Sequence, residues 1–439
     1  MKYVGMILGI GGVVALAASA AWAGTSPPKI GSGDTAWVLT GAALVMLMTP
    51  GLAFFYGGLV RRKNVLSILM QCMMILCLIS FQWVLFGYSL SFGPDVHGLL
   101  GNLSWAGLSG VGAAPNPDYA PTIPHGAFMI FQAMFAVITP ALILGAFAER
   151  MRFSAFCLFP LLWATLIYDP VCHWVWGSGG WLRAMGVQDF AGGIVVHVTA
   201  GVSALATAIF LGKRQGYPNA ISPPHNLPFA VLGAGLLWFG WFGFNAGSAL
   251  SAGGLATSAL VSTHVAGAAA GLAWALLDWM LLRRPTMLGM ITGAIAGLAA
   301  VTPASGFVTP LGAIGIGIGA SALCWFFVSV IKVKLGYDDS LDAFGVHGIG
   351  GIWGVLATGL WATSTINADS ADGLFSGGGA TILRVQALAV GVAVVTAFVG
   401  TLVLLKIVDG VVGLRVSEHE ERVGLDLTQH REAGYTLVD

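Results

Sequence analysis

Residues 189–197, Asp189-Phe190-Ala191-Gly192-Gly193-Ile194-Val195-Val196-His197, open a long apolar run and place two ionisable groups in it. A charge or an imidazole at membrane depth is costly, so such residues mark functional sites. A second stretch, Asp342-Ala343-Phe344-Gly345-Val346-His347-Gly348, repeats the pairing about 150 residues later. The rest of the chain reads as a scaffold that brings His197 and His347 together.

Composition says what kind of scaffold. Of 439 residues, 57% are hydrophobic and only 9% charged, against about 25% charged in a soluble domain. So few charges cannot cover a water-facing surface, and the chain is a polytopic, all-α membrane protein with the lipid bilayer as its first partner. The 63 glycines suit close helix packing where lipid supplies no hydrophobic drive. A formal net charge of zero gives no nucleic-acid footprint. Cys72 and Cys77 share one run, but five residues turn a helix by about 140°, so the two thiols point to different faces. They read as lipid- or core-facing, and neither a metal nor a cofactor is expected.

Eleven apolar runs follow one another at about 35–60, 64–92, 124–148, 153–175, 190–212, 226–247, 254–282, 287–303, 309–333, 343–363 and 382–409. Each approaches or exceeds the ~20 residues that cross a bilayer. Lys and Arg fall in every second connection: Arg61 to Lys63, Arg150 and Arg152, Lys213 and Arg214, Arg283 and Arg284, Lys332 and Lys334, and Arg415 onward. Arg183 and Arg384 are the exceptions. The positive-inside rule then predicts the N-terminus outside and the C-terminus inside, in the cell inner (plasma) membrane. The fifth and tenth runs each carry an Asp and a His and cross in opposite directions. An odd count with that pairing predicts five plus five inverted spans and one more, with the site at the repeat interface.

The ends read separately. Residues 1–23 have a positive start, an apolar centre and the small-residue motif Ala21-Trp22-Ala23, which predicts a cleaved secretory signal peptide; a retained first helix is the other reading. Residues 24–34 would be an external N-terminus, 35–409 the membrane domain and 410–439 a charged cytoplasmic tail. That tail either trails in solvent or docks on the cytoplasmic loops through Gly424-Leu425-Asp426. No long soluble domain follows the last run, which speaks against a fused signalling module.

A single membrane histidine is commonly a structural hydrogen bonder, but a pair at matching places in two halves is different. Two neutral imidazoles can share one hydrogen bond and offer a donor and an acceptor to a small polar guest, and they can relay protons. Asp189 lies eight residues before His197, about 12 Å of rise along a helix, too far to touch it. At the N-terminus of its span it can accept backbone N–H bonds, as a plain cap or as an outer-mouth carboxylate that stabilises a cation. Asp342, with Asp338 and Asp339, reads as a cap on the tenth helix rather than as a conducting group. Most aromatic side chains are expected to face lipid or the interface belts, as for Trp181 and Tyr56. Trp176, Phe131, Phe135, Phe244 and Ser248 instead fall where an outer pore mouth would be, and rings around a small cation attract it by about 0.5–2 kcal/mol.

Phe131-Gln132-Ala133-Met134-Phe135, Ala148-Glu149-Arg150-Met151-Arg152-Phe153-Ser154, Asp189 to His197, Trp241-Phe242-Gly243-Phe244-Asn245-Ala246-Gly247-Ser248 and Phe344-Gly345-Val346-His347-Gly348 together resemble the ammonium transporter (Amt/Rh) family, on its bacterial Amt side. The likeness runs from about residue 35 into the tail, to Tyr435. It implies an eleven-helix homotrimer with a pore in each protomer, and no enzyme. By motif, Trp176, Phe135, Phe244 and Ser248 become the external ammonium site. Phe135 and Phe244 become a gate beneath it, with Phe131 one turn further in. His197 and His347 become the twin histidines of an apolar pore that Trp241 also lines, and Asp189 the carboxylate below the recruitment site that uptake requires. The resemblance also implies ammonium, ammonia or methylammonium as cargo and a PII-type signal protein as partner at the inner face. His264 and Cys172-His173 depart from the core motif and read as packing or interface residues.

Three rivals remain. An ammonium sensor passing little substrate would need an output surface. A Rh-like channel for ammonia or carbon dioxide is the nearest relation. A metalloenzyme is poorly served by two histidines with no Cys or Glu at metal spacing.

Overall fold

The computed structural model describes residues 29–219 and 223–435. The expected leader, 1–23, and residues 24–28 of the expected external segment lie outside them. Each of the eleven apolar runs holds a helix: α1 (Ser32–Leu59), α2 (Arg62–Phe92), α3 (His125–Phe147), α4 (Phe153–Ala184), α5 (Gly193–Leu211), α6 (Leu227–Ala246), α7 (Gly254–Leu282), α8 (Met287–Val301), α9 (Pro310–Leu335), α10 and α11 (Thr381–Val412). Helix α10 joins Phe344–Gly348 to Ile349–Trp361 without a break. Among the described residues nine helices are long and apolar enough to cross a membrane; α10 is not one of them, and α8 is a shorter apolar helix of 15 residues.

Local chemistry explains the helix starts. Asn226 caps α6, Thr286 caps α8 and Thr309 caps α9, each accepting a backbone N–H with its side chain. Such caps satisfy donors that a buried helix end would leave orphaned. Wide π turns interrupt α2, α4 and α9, open α5 and α10 and close α6. Turns of that kind gather at functional sites because they shift which side chains face inward.

The basic connections meet at one end of the bundle. Glu149, at a left-handed φ of 74°, accepts from Arg61 and Asn64 and pairs with Arg214. Burial would raise its carboxyl, but Arg214 and Arg61 outweigh that and hold it below its usual range. Arg214 also grips Asp338 at 2.8 Å. The tail docks here. Leu425 donates its N–H to Asn64, and Asp426 accepts from the N–H groups of Leu66 and Ser67. Glu421 takes Arg415 and the N–H of Gln215. Joining these connections at one end requires successive helices to alternate in direction.

At the centre, α5 crosses α10 at two glycines. A Cβ on Gly201 would lie 2.0 Å from the Gly348 nitrogen, and one on Gly351 would lie 2.9 Å from the His197 Cβ. Only glycine lets the two helices approach this closely.

Candidate functional site

A cavity of about 490 Å³ opens at the end opposite the basic network, with Gln132, Trp176, Asp189 and Ser248 in its wall. Below it the rings of Phe135 and Phe244 lie against each other, tilted by 37°, with centroids 4.3 Å apart. Trp176 meets Phe135 edge-on at 5.8 Å. Phe131 touches Phe135 at 5.0 Å; the expected place one turn further in is not where it lies. Helix α3 starts at the open-cavity end with His125, so Phe131 precedes the Phe135–Phe244 pair and packs over Gly41 and Gly247.

Beyond the two rings lies an apolar chamber of about 10 Å³, walled by Leu52, Ile138, Trp241 and Phe244, with His197 and His347 in its wall. The imidazoles are 1% and 4% exposed, close to parallel at 15°, and 5.3 Å apart. They do not share the expected hydrogen bond: the Nδ1 atoms of both are buried without a partner among the described residues. Two polar atoms left unsatisfied at membrane depth are costly. A guest with an N–H or a lone pair would relieve that cost.

Thr302, in the turn after α8, sets the state of one of them. Its hydroxyl donates to the Leu298 carbonyl at 2.8 Å and accepts from the Trp241 indole at 2.9 Å. The one lone pair left faces His197 Nε2 at 3.3 Å. A hydroxyl has one proton and two lone pairs, so His197 Nε2 must carry the proton and Nδ1 is an acceptor. His347 has no protein hydrogen bond among the described residues, and it also lines a cavity of about 440 Å³ at the basic end.

The groups around the open cavity are set by backbone. Asp189 is buried and accepts four N–H groups, from Gly192 at 2.9 Å, Gly193 at 2.5 Å, Ile194 at 2.8 Å and Val195 at 3.2 Å. The turn that aims them needs Gly192 at φ 112°. With its lone pairs so used, the carboxylate has none left to coordinate a further group directly. Its own carbonyl holds the Trp176 indole at 2.8 Å. Ser248 donates to the Phe244 carbonyl at 2.8 Å, so its lone pairs are free for a donor in the cavity.

Sequence reasoning missed three features. Gln132 is 9% exposed, and its Oε1 at the cavity wall has no partner among the described residues; it sits inside a motif read for its phenylalanines. Thr302 looked like any threonine in an apolar run. Tyr56, expected in an interface belt, is 1% exposed, lines the basic-end cavity and donates to the Leu142 carbonyl. The three aspartates before α10 also divide their work. Only Asp339 caps the helix, accepting from Ala343 and Phe344; Asp338 holds Arg214, and Asp342 pairs with Lys332. Burial, then the nearby charge of Asp342, pushes the Asp339 carboxyl up to about 6. His173 bridges the Ser91 carbonyl and Asp95, a packing role. His264 lies exposed on α7 beside Trp238 and Phe242. Among the described residues no three His, Cys, Asp or Glu side chains gather as metal ligands would.

The family model described as Ammonium Transporter Family matches residues 36–435. The chain belongs to that family. An ammonium transporter of Bacillus subtilis (strain 168) is 54% identical over 403 residues, 92% of this chain and 98% of the relative. The crystal structure of Candida albicans Mep2 superposes with a TM-score of 0.86 at 34% identity, covering 93% of this chain and 94% of that one. A structure described as Sensor Amt Protein gives 0.83 at 30% identity, covering 91% and 98%. The family is one of transporters and channels, not of enzymes.

Proposed function

We propose that the chain takes up ammonium across the inner (plasma) membrane as an eleven-span protein, N-terminus outside and C-terminus inside. The positive-inside rule supports that orientation, since the basic network would face the cytoplasm. The open cavity is then the external mouth. Trp176, Phe135 and Phe244 supply ring faces, Ser248 and Gln132 supply acceptors, and the Asp189 charge favours a cation there. A bare cation in the chamber beyond would cost several kcal/mol or more. Ammonium therefore gives up its proton at the phenylalanine gate, and ammonia passes His197 and His347. The proton follows along the imidazoles or water, making transport electrogenic.

The observation that carries this reading is the pair of unpartnered Nδ1 atoms in a chamber closed by Phe244. The arrangement suits a small guest that hydrogen-bonds but brings no charge. A homotrimer is supported by His264, since an exposed imidazole midway along an apolar helix calls for a protein neighbour rather than lipid. The docked tail and the cavity at the basic end offer a surface for a PII-type signal protein.

Uptake of labelled methylammonium by cells expressing wild type or Asp189→Ala tests the reading. Wild-type uptake above background and its loss in the variant are expected. Equal uptake by both, or none by wild type, overturns it. Likeness to a sensor favours one second reading: ammonium would bind and move the tail while little crosses. Binding by wild type without uptake would select it.

A further inference from the structure

We infer that Lys332 is a tethered counter-ion that keeps the exit cavity from retaining the ammonium it releases; this rests on the transport reading above. The cavity of about 440 Å³ has His347 in its wall and Arg214, Lys332 and Asp342 as the charged groups lining it. Arg214 is committed to Asp338 and Glu149. Among the described residues Lys332 and Asp342 are ion-paired only with each other, with side chains 18% and 27% exposed. They are the charges of the wall that an arriving cation could separate.

Two features of the backbone build this pair. Asp342 has φ 61°, the left-handed region that a non-glycine residue enters only when its surroundings impose it. Leu341 is held to the Gly145 carbonyl at 2.9 Å, and the Asp342 carbonyl accepts from Val346 at 2.9 Å. Because Asp339 already caps α10, the Asp342 carboxylate is released from capping and turned to the cavity. Lys332 follows directly on the π turn Phe327–Ile331. Its neighbours Val333 and Leu335 are 64% and 73% exposed on the outer surface, while Lys332 itself points inward to Asp342 and carries the ammonium-like group.

Ammonia that leaves the chamber regains a proton in this cavity. An unpaired carboxylate there would bind the ammonium formed, and the Lys332 ammonium occupies that place instead. Without Lys332, internal ammonium should compete for Asp342 and slow turnover. The test uses full-length protein in liposomes with methylammonium uptake started from outside and ammonium chloride placed inside. Lys332→Gln should transport with an unchanged KM for external substrate but a lower kcat. Its inhibition constant for internal ammonium should fall about fivefold, in line with the affinity of a partly exposed ion pair. Asp342→Asn should show no added sensitivity, and Lys332→Gln with Asp342→Asn should return to the wild-type constant. If both single variants lose activity alike, with internal ammonium without effect, the pair is only structural and the inference fails. If wild type itself transports nothing, it is the transport reading that fails.

Discussion

The two halves of the site match in sequence more closely than in use. Asp189, His197 and Gly201 stand at the same intervals as Asp339, His347 and Gly351: eight residues, then four. Each aspartate caps a helix that opens with a π turn, and each glycine lies under the partner helix. The surroundings differ. Asp189 gathers four N–H groups beside an open cavity, whereas Asp339 accepts two and is buried beside Asp342. His197 is held by Thr302, and His347 has no such anchor. One frame thus carries a histidine anchored by a hydroxyl and, among the described residues, one that is not.

The glycines give the largest break in this match. Gly201→Ala would put a methyl group 2.0 Å from backbone, which cannot yield, while the nearest atom to one on Gly351 is at 2.9 Å. Overpacking costs about 1–3 kcal/mol where side chains can move, and more where they cannot. Gly201→Ala should therefore yield little folded protein, and Gly351→Ala a folded protein with a lowered melting temperature. Detergent-solubilised yield and thermal unfolding decide it; equal damage would mean that the crossing is symmetric after all.

The second contrast is between the caps. Asp189→Ala is expected to abolish uptake, whereas Asp339→Asn should spare it and change the pH dependence of stability. Burial and Asp342 hold the folded Asp339 carboxyl at about 6, above the ~3.9 of an unfolded aspartate. The folded state therefore keeps a proton that the unfolded chain has released. The stability this provides is full below about pH 4 and is lost as pH rises to about 6, by up to ~3 kcal/mol. Asparagine removes that slope at the cost of one N–H bond, about 1 kcal/mol. Thermal unfolding from pH 4 to 7 should be flatter for Asp339→Asn than for wild type. Glu149 and Asp338, both held low by arginine, act oppositely and only as pH falls toward their depressed values.

Much of this was legible in the residues. The apolar runs locate the helices, and two histidines in matching runs locate the chamber. The eight-residue interval from Asp339 to His347 was equally visible, yet Asp342 drew attention because it is nearer its histidine. Three aspartates in five positions can each cap a helix on paper. What separates them is the Arg214 side chain from a distant connection and a left-handed φ at Asp342, neither of which has a local signal. Tyr56 misled for a related reason: aromatic residues near a span end are common in belts, and only packing tells which ones turn inward. The π turns left no mark in the hydrophobic pattern. Phe131 precedes Phe135 on α3, so the order of the chain alone puts it nearer the open cavity than Phe135.

The smallest expected effect concerns the unequal anchoring of the histidines. Thr302→Val keeps the shape of the side chain but removes the oxygen shared by Trp241 and His197. His197 could then carry its proton on either nitrogen, as His347 already can. If the Nδ1 acceptor of His197 receives an N–H from the passing guest, only part of the population would present it. Methylammonium uptake should fall about fivefold, the equivalent of one neutral hydrogen bond of ~1 kcal/mol, with the KM for external substrate unchanged because the outer site is untouched. Thr302→Ser, which restores the hydroxyl, should recover most of the rate. Recovery by serine separates the proton's placement from the volume of the side chain. If valine and serine behave alike, the anchoring of His197 has no part in transport, and the two histidines are equivalent in use as well as in sequence.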